Sequence, residues 1–309
     1  MAPHVDDTTV QDSILPNIQL PYFRNPDQLP YPLPTAKDIK EATVIPTNRE
    51  FDSYRGHVVV VEDRFVVKYG GTVRENEGYA LLVLEKYPSI PAPRLYAMYR
   101  EDDVLYLVME LLPGRSLLGL WDDLSENEKQ SVCGQLKVAF THIRSISSPG
   151  IFGSVIGRRF HNTLFGGSDW DPRITGPFKT LKDLHLGLAL HSEEQQLLNK
   201  RHPWSSEWFA RHLPRVMKDH PSTFTHSDLV KQNIMVQEQL GTDGERDFKL
   251  TGIVDWEMVG WYPRYWEYAM FFAESLWDGD WEAKVETFVD PWPLEATMFR
   301  LLKVDIEGF

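Results

Sequence analysis

Between His57 and Leu112 the chain switches between two kinds of apolar pattern, and that switching constrains the fold more than any other feature. HVVVVEDRFVVKY is dense in β-branched residues and breaks only at Glu62-Asp63, which predicts two strands joined by a tight turn. NEGYALLVLEKY consists of good helix formers with no breaker after Gly78, and Pro88 marks its end. RLYAMY, the polar turn REDD and VLYLVMEL then predict a second hairpin. The order strand, strand, helix, strand, strand closes at Leu112, where Pro113-Gly114 reads as a turn or linker.

Beyond that point the pattern is mainly helical. Ser125 and Glu128 have capping-box spacing and lead into Val132, Leu136, Phe140, Ile143 and Ile146, one apolar helix face. Residues 150 to 180, rich in glycine, proline and aromatics, predict a long structured loop that either covers a cleft or fills a groove. Thr180 with Asp183 starts a further helix. Strand signals return only at NIMVQ and FKLTGIVDW, and WEYAMFFAESLW is again helical. Upstream of the first hairpin, LPNIQLPYFRNPDQLPYPLP places proline every few residues, which predicts an extended leader rather than helix or sheet. The expected architecture is α+β: a proline-rich extended leader (1–40), a small β-rich N-lobe (41–112) and a larger α-rich C-lobe (113–309). A chain of 309 residues is long enough for a core in each lobe.

Charge and cysteine usage remove several classes of function. A net charge of -13 repels nucleic acid and anionic membranes as partners. Cys133 is the one cysteine, so no intramolecular disulfide framework exists, and its helical context suits a buried side chain. MAPHVDDTTV has neither a basic n-region nor an apolar h-region, and no apolar run is long enough to span a bilayer. A cytoplasmic location with no membrane partner is the expectation.

The chemistry concentrates in THSDLVKQNIMV and the strand that follows it. Asp228 and Asn233 are separated by a loop length that can bring both side chains to one end of a hairpin, and Asp255 sits where the second arm, LTGIV, ends. Three oxygen-bearing groups at one place can hold a hard divalent cation, with water and phosphate completing its shell. A carboxylate left off the metal can orient an attacking hydroxyl and accept its proton. Lys68 in RFVVK and Glu77 on the next helix match the strand-lysine and helix-glutamate pair with which kinases hold α- and β-phosphates. Glu257 suits either the metal and substrate or a structural salt bridge. The aromatics Trp256, Trp261, Tyr262, Tyr265 and Trp266 suit core packing, or in part an amine-bearing ligand.

HSDLVKQN followed by IVDWEMVGWYP resembles the aminoglycoside phosphotransferase family, whose pattern is H-G-D-x-x-x-x-N and then I-[IV]-D-[WF]-[ED]. That family is distantly related to protein kinases and includes choline and fructosamine kinases. VVKYG, the NEGYALL helix and LVMELLPGRSL extend the match over roughly residues 55 to 275. The resemblance implies a protein-kinase-like two-lobed fold and an ATP- and Mg²⁺-dependent kinase acting on a small molecule; the acidic balance and the aromatics make a cationic or amine-bearing one a candidate. It implies Asp228 as the catalytic aspartate, with His226 bracing its loop and Glu267 anchoring that loop from below. Asn233 and Asp255 become magnesium ligands, Lys68 and Glu77 the phosphate-positioning pair, and the junction at Glu110 and Leu112 the adenine contact.

Three departures from the pattern bear on function. Ser227 stands where the family has glycine. Lys231 is off the position of the protein-kinase catalytic-loop lysine, which favours a small-molecule acceptor, and neither D-F-G nor an A-P-E-type segment is present. Where a glycine-rich phosphate loop is expected, FDSYRGHVVVV offers Gly56 alone. That thin loop keeps a second reading open, a non-catalytic kinase-like protein that binds a ligand or partner.

Overall fold

The computed structural model describes residues 18–44, 56–166, 171–241 and 244–307. Its first part is a six-stranded antiparallel sheet. In spatial order the strands are Tyr22–Phe23, Leu95–Glu101, Val104–Glu110, Phe65–Gly70, His57–Val61 and Thr43–Val44. At the two hairpin turns, Glu62, Asp63, Asp102 and Asp103 take φ between 48° and 63°, the left-handed backbone that tight hairpin turns use.

The apolar runs of these strands are nearly unbroken because the sheet is covered on both faces. One face carries Val59, Phe65, Val67 and Val108 and meets Ile39 of the leader, with Leu29 and Leu33 packed alongside. The other bears the helix Glu75–Leu84, set against Met98 and Leu107. Gly78 permits that close approach, since a Cβ there would lie 2.5 Å from Met98 Sδ.

The leader departs from the extended reading. Tyr22–Phe23 pairs with Met98 and Ala97 at the sheet edge. Ala36–Lys40 is a short helix, begun by Thr35, whose hydroxyl accepts from the Asp38 N–H while Asp38 accepts from the Thr35 N–H. Proline density argued for extended chain with neither helix nor strand pairing. The apolar residues between the prolines instead had an uncovered sheet face to bury.

In the second part, the capping box of Ser125 and Glu128 starts the helix Glu126–Arg144, whose Val132, Leu136, Phe140 and Ile143 are buried. The helices Leu181–Leu198, Trp204–Val216, Trp266–Glu274 and Pro293–Glu307 pack on one another. The hairpin Ile234–Leu240 and Arg246–Ile253 forms as expected, with Arg115–Ser116 added on its outer side. A third sheet has no counterpart in the sequence reading: Ser222–Thr225, Gly260–Pro263 and Gly153–Ser154. Strands of two to four residues are too short for a period to register.

That small sheet ties the long loop into the interior. Phe160 stacks on Phe165 at 4.2 Å and on Tyr262 at 4.5 Å between ring centroids. Trp256, Trp261, Tyr262, Tyr265 and Trp266 are at most 1% exposed, so all five are core and none presents a face to a ligand. Among the described residues no helix is long and apolar enough to cross a membrane.

Candidate active site

Lys68 lies on the strand Phe65–Gly70 and is the hub between the two lobes. Its Nζ lies 2.9 Å from Glu77 Oε2, 2.7 Å from Asp255 Oδ1 and 2.8 Å from Glu257 Oε2. Burial alone would depress its pKa, but the three carboxylates outweigh burial and hold it well above the usual lysine range. Burial pushes the Glu77 carboxyl up to about 7 against the pull of Lys68, and Asp255 and Glu257 add to the rise. Glu257, open between two uses in the sequence, is ion-paired with Lys68 here.

The helix that presents Glu77 is locked by its neighbour Asn76, whose role the sequence did not disclose. Asn76 is 3% exposed. Its Nδ2 donates to the carbonyls of Glu257 at 3.0 Å and Val259 at 2.8 Å, and its Oδ1 accepts from the Val155 N–H at 3.2 Å. One side chain therefore pins the N-lobe helix to the second motif and to the long loop.

The other half of the site begins where the strand Ser222–Thr225 ends. The buried Glu267 carboxylate accepts from the His226 N–H at 2.9 Å and the Ser227 N–H at 3.1 Å, so it braces the loop from below as the motif implied. His226 Nδ1 accepts from the Asp228 N–H at 3.3 Å, which makes Nε2 the protonated nitrogen that donates to Val254 O at 3.0 Å. His226 thus links the two motifs through its ring.

Ser227 explains its own departure from the family pattern. Its φ is 70°, the left-handed conformation that favours glycine. The hydroxyl is used there: Trp266 Nε1 donates to it at 3.0 Å and Asn162 Nδ2 at 3.2 Å. Asn162 comes from the long loop, which therefore supports the loop carrying Ser227 from within.

Asn233 Nδ2 donates to both the backbone oxygen and Oδ2 of Asp228, each at 3.0 Å, leaving Oδ1 as the acceptor end of its amide. Burial raises the Asp228 carboxyl to about 6; nearby His226 and the Asn233 hydrogen bond hold it lower, while Asp255 pushes it up. Val254 N–H donates to Asn233 O at 2.9 Å, so Asn233 and Asp255 are carried by adjoining backbone. Asp255 itself sits at φ 63° and ψ 57°, a sharp left-handed turn at the end of the hairpin arm.

Glu110 and Leu112 fall at the junction, away from these charges. The Glu110 N–H donates to Arg94 O at 2.9 Å and its carboxylate accepts from the Arg94 N–H at 3.1 Å. Leu112 rests against Gly252, on the arm that leads to Asp255. The phosphate-loop reading falls largely on residues 51–55, outside the described residues. Gly56, at its end, has φ 115° and abuts Gly70, where a Cβ would lie 2.6 Å from Gly56 Cα.

A β-sheet lobe holding a buried lysine–glutamate pair faces a helical lobe holding an aspartate–asparagine loop and a second aspartate. Fold and site together define a phosphotransferase of the protein-kinase-like class. A family model described as the phosphotransferase enzyme family (APH) matches residues 47–290, and the chain belongs to that family. No curated protein sequence matches it. Among solved structures, the aminoglycoside phosphotransferase APH(4)-Ia is 17% identical with a TM-score of 0.56, the alignment covering 89% of this chain and 93% of that one. A thermostable mutant of APH(4)-Ia in a ternary complex with AMP-PNP and hygromycin B gives 17% and 0.55, covering 87% and 88%. The streptomycin–ATP–APH(2")-IIa complex gives 15% and 0.52, covering 88% and 82%. Identities this low speak for the shared fold.

Proposed function

We propose that the chain transfers the γ-phosphoryl group of ATP to a hydroxyl of a small molecule. The observation that carries this reading is the placement of Lys68, which contacts Glu77 of its own lobe and Asp255 of the other within 3 Å. The nucleotide complexes of the fold relatives support the choice of ATP. In this reading the backbone at Glu110 to Leu112 meets the adenine edge, and Lys68, steered by Glu77, meets the α- and β-phosphates.

Asp228 acts on the acceptor. The acceptor oxygen attacks the γ-phosphorus, the bond to the β,γ-bridging oxygen breaks, and the hydroxyl proton passes to Asp228 as ADP leaves. The donors fit a hard divalent cation: amide and carboxylate oxygens at Asn233 and Asp255, beside carboxylate oxygens of Glu77, Asp255 and Glu257 that lie within 4.8 Å of one another. A magnesium ion held by Asn233 and Asp255 would neutralise charge on the transferring phosphates. Catalysis rests on position and electrostatics, with no covalent enzyme intermediate.

A cavity of about 80 Å³ beside Asp228, lined by Leu229, Met270, Phe271 and Glu274, suits an acceptor with an apolar body. Glu274, paired with Lys303 at 3.2 Å, joins Asp228 as an acidic group there, and the two favour an amine-bearing substituent. Thermal stability measured with ATP and Mg²⁺ tests the nucleotide reading; no stabilisation at millimolar nucleotide sinks it. Asp228→Asn is expected to keep that stabilisation and lose transfer to any acceptor found. Persistent transfer in the variant removes Asp228 from its role.

A further inference from the structure

A second cavity, of about 230 Å³, lies between the start of the helix Glu75–Leu84 and the segment from Ser154 to His161. It shares no lining residue with the cavity beside Asp228. In a chain of net charge -13, its lining is basic: Arg74, Arg100, Arg158, Arg159 and His161. Glu75 is the one carboxylate among the described lining residues, and Arg100 already engages it at 3.0 Å. The helix opens here at Arg74 with no side-chain cap on its first N–H groups, which adds the positive end of the helix dipole to the same space.

These charges crowd one another. Arg159 is lowered by burial and then by Arg74. His161 is pushed down to about 4, by burial first and then by Arg74 and Arg159, so its ring is neutral at physiological pH. Like charges gathered around a cavity are relieved by an anion, and guanidinium groups match phosphate and carboxylate geometry.

We propose that this cavity binds the phosphate or carboxylate group of a small molecule other than the acceptor. The inference stands on the cavity's charge and does not depend on the phosphotransferase reading. Its position couples the ligand to the transfer centre from both sides. Glu75 is followed by Asn76, which holds the Glu257 and Val259 carbonyls, and His161 is followed by Asn162, which supports Ser227. An anion here tightens the helix that presents Glu77 to Lys68.

The probe is inorganic phosphate, titrated calorimetrically into the full chain at neutral pH. Wild type is expected to bind it, and Lys68→Met to bind it within about fivefold, the loss that coupling to the transfer centre allows, since Lys68 lies outside the cavity. The double variant Arg74→Ala/Arg159→Ala is expected to bind at least about tenfold more weakly. No binding by wild type, an unchanged affinity in the double variant, or a loss confined to Lys68→Met overturns the proposal. A second measurement needs no variant: the His161 ring is titrated by NMR with and without sulfate, whose charge does not change over the range. Neutralising the arginines should raise the His161 pKa; an unmoved pKa with saturating sulfate also overturns the proposal.

Discussion

Replacing Ser227 by the glycine of its family tests how this loop is held. Two effects oppose each other. Relief of the left-handed backbone at φ 70° gains about 1 kcal/mol, and the greater freedom of glycine in the unfolded chain returns much of that. Against it, Trp266 Nε1 and Asn162 Nδ2 lose the hydroxyl they donate to at 3.0 and 3.2 Å, within the buried interior. An abandoned buried donor costs roughly 1–3 kcal/mol. The losses win, and Ser227→Gly is expected to be about 2 kcal/mol less stable than wild type. Ser227→Ala keeps the strained backbone and loses the same bonds, so it should be worse again only by the part of the relief that is not returned, roughly a few tenths of a kcal/mol. Urea unfolding followed by tryptophan fluorescence reads the order as successive drops in midpoint at constant slope. A glycine variant as stable as wild type, or more so, refutes the claim that the hydroxyl is what the site needs.

Asn76→Leu leaves two carbonyls and one N–H unpaired where the lobes meet, a loss of about 3 kcal/mol; with Glu77 no longer held against Lys68, nucleotide affinity in a fluorescence titration should fall with it, and unchanged affinity would show that the helix is held by packing alone. Burial, and then the charge of His220, lowers His185 from 6.5 to about 3. The unfolded chain therefore takes up a proton near pH 6.5 that the folded chain refuses until about pH 3, so the contribution is complete above 6.5 and is lost as pH falls. Between neutrality and pH 5 that amounts to about 2 kcal/mol. His185→Gln should remove this part of the pH dependence in urea unfolding, and equal slopes in variant and wild type would exclude it.

What the sequence disclosed, and what it hid, follow a physical division. Lys68, Glu77, Asp228, Asn233 and Asp255 were legible because each sits at a fixed offset inside a short strand, turn or helix pattern that repeats its own context. Asn76 and Asn162 were not, because their meaning lies in partners 181 and 65 residues away along the chain; nothing local separates such an asparagine from a solvated one. Glu257 was legible as chemistry but not as a contact, since one residue type serves a metal and a salt bridge equally. The leader's edge strand and short helix were missed for a related reason: proline spacing is local, whereas the sheet that Tyr22–Phe23 extends and Ile39 covers is assembled from two hairpins downstream.

The balance of charge around Lys68 sets how the site can receive a nucleotide. One ammonium meets three carboxylates, those of Glu77, Asp255 and Glu257, and Glu77, near a pKa of about 7, relieves part of the excess by taking up a proton. Lys68 is therefore not a spare cation awaiting phosphates. A polyphosphate arriving alone meets net negative charge, and one uncompensated carboxylate about 5 Å from a phosphate charge costs roughly 3 kcal/mol at an effective dielectric near 20. Nucleotide binding should accordingly weaken by about a hundredfold when divalent cations are chelated. AMP, with its single phosphate, should lose much less than ATP. Glu257→Gln removes one of the three negative charges without touching Asn233 or Asp255, so metal-free ATP binding should partly recover in that variant. Calorimetric titration of ATP and AMP with Mg²⁺ or with EDTA measures all of these. Equal ATP affinity in the two conditions, in wild type, would mean that the phosphates never approach the Lys68 cluster and that the nucleotide lies elsewhere.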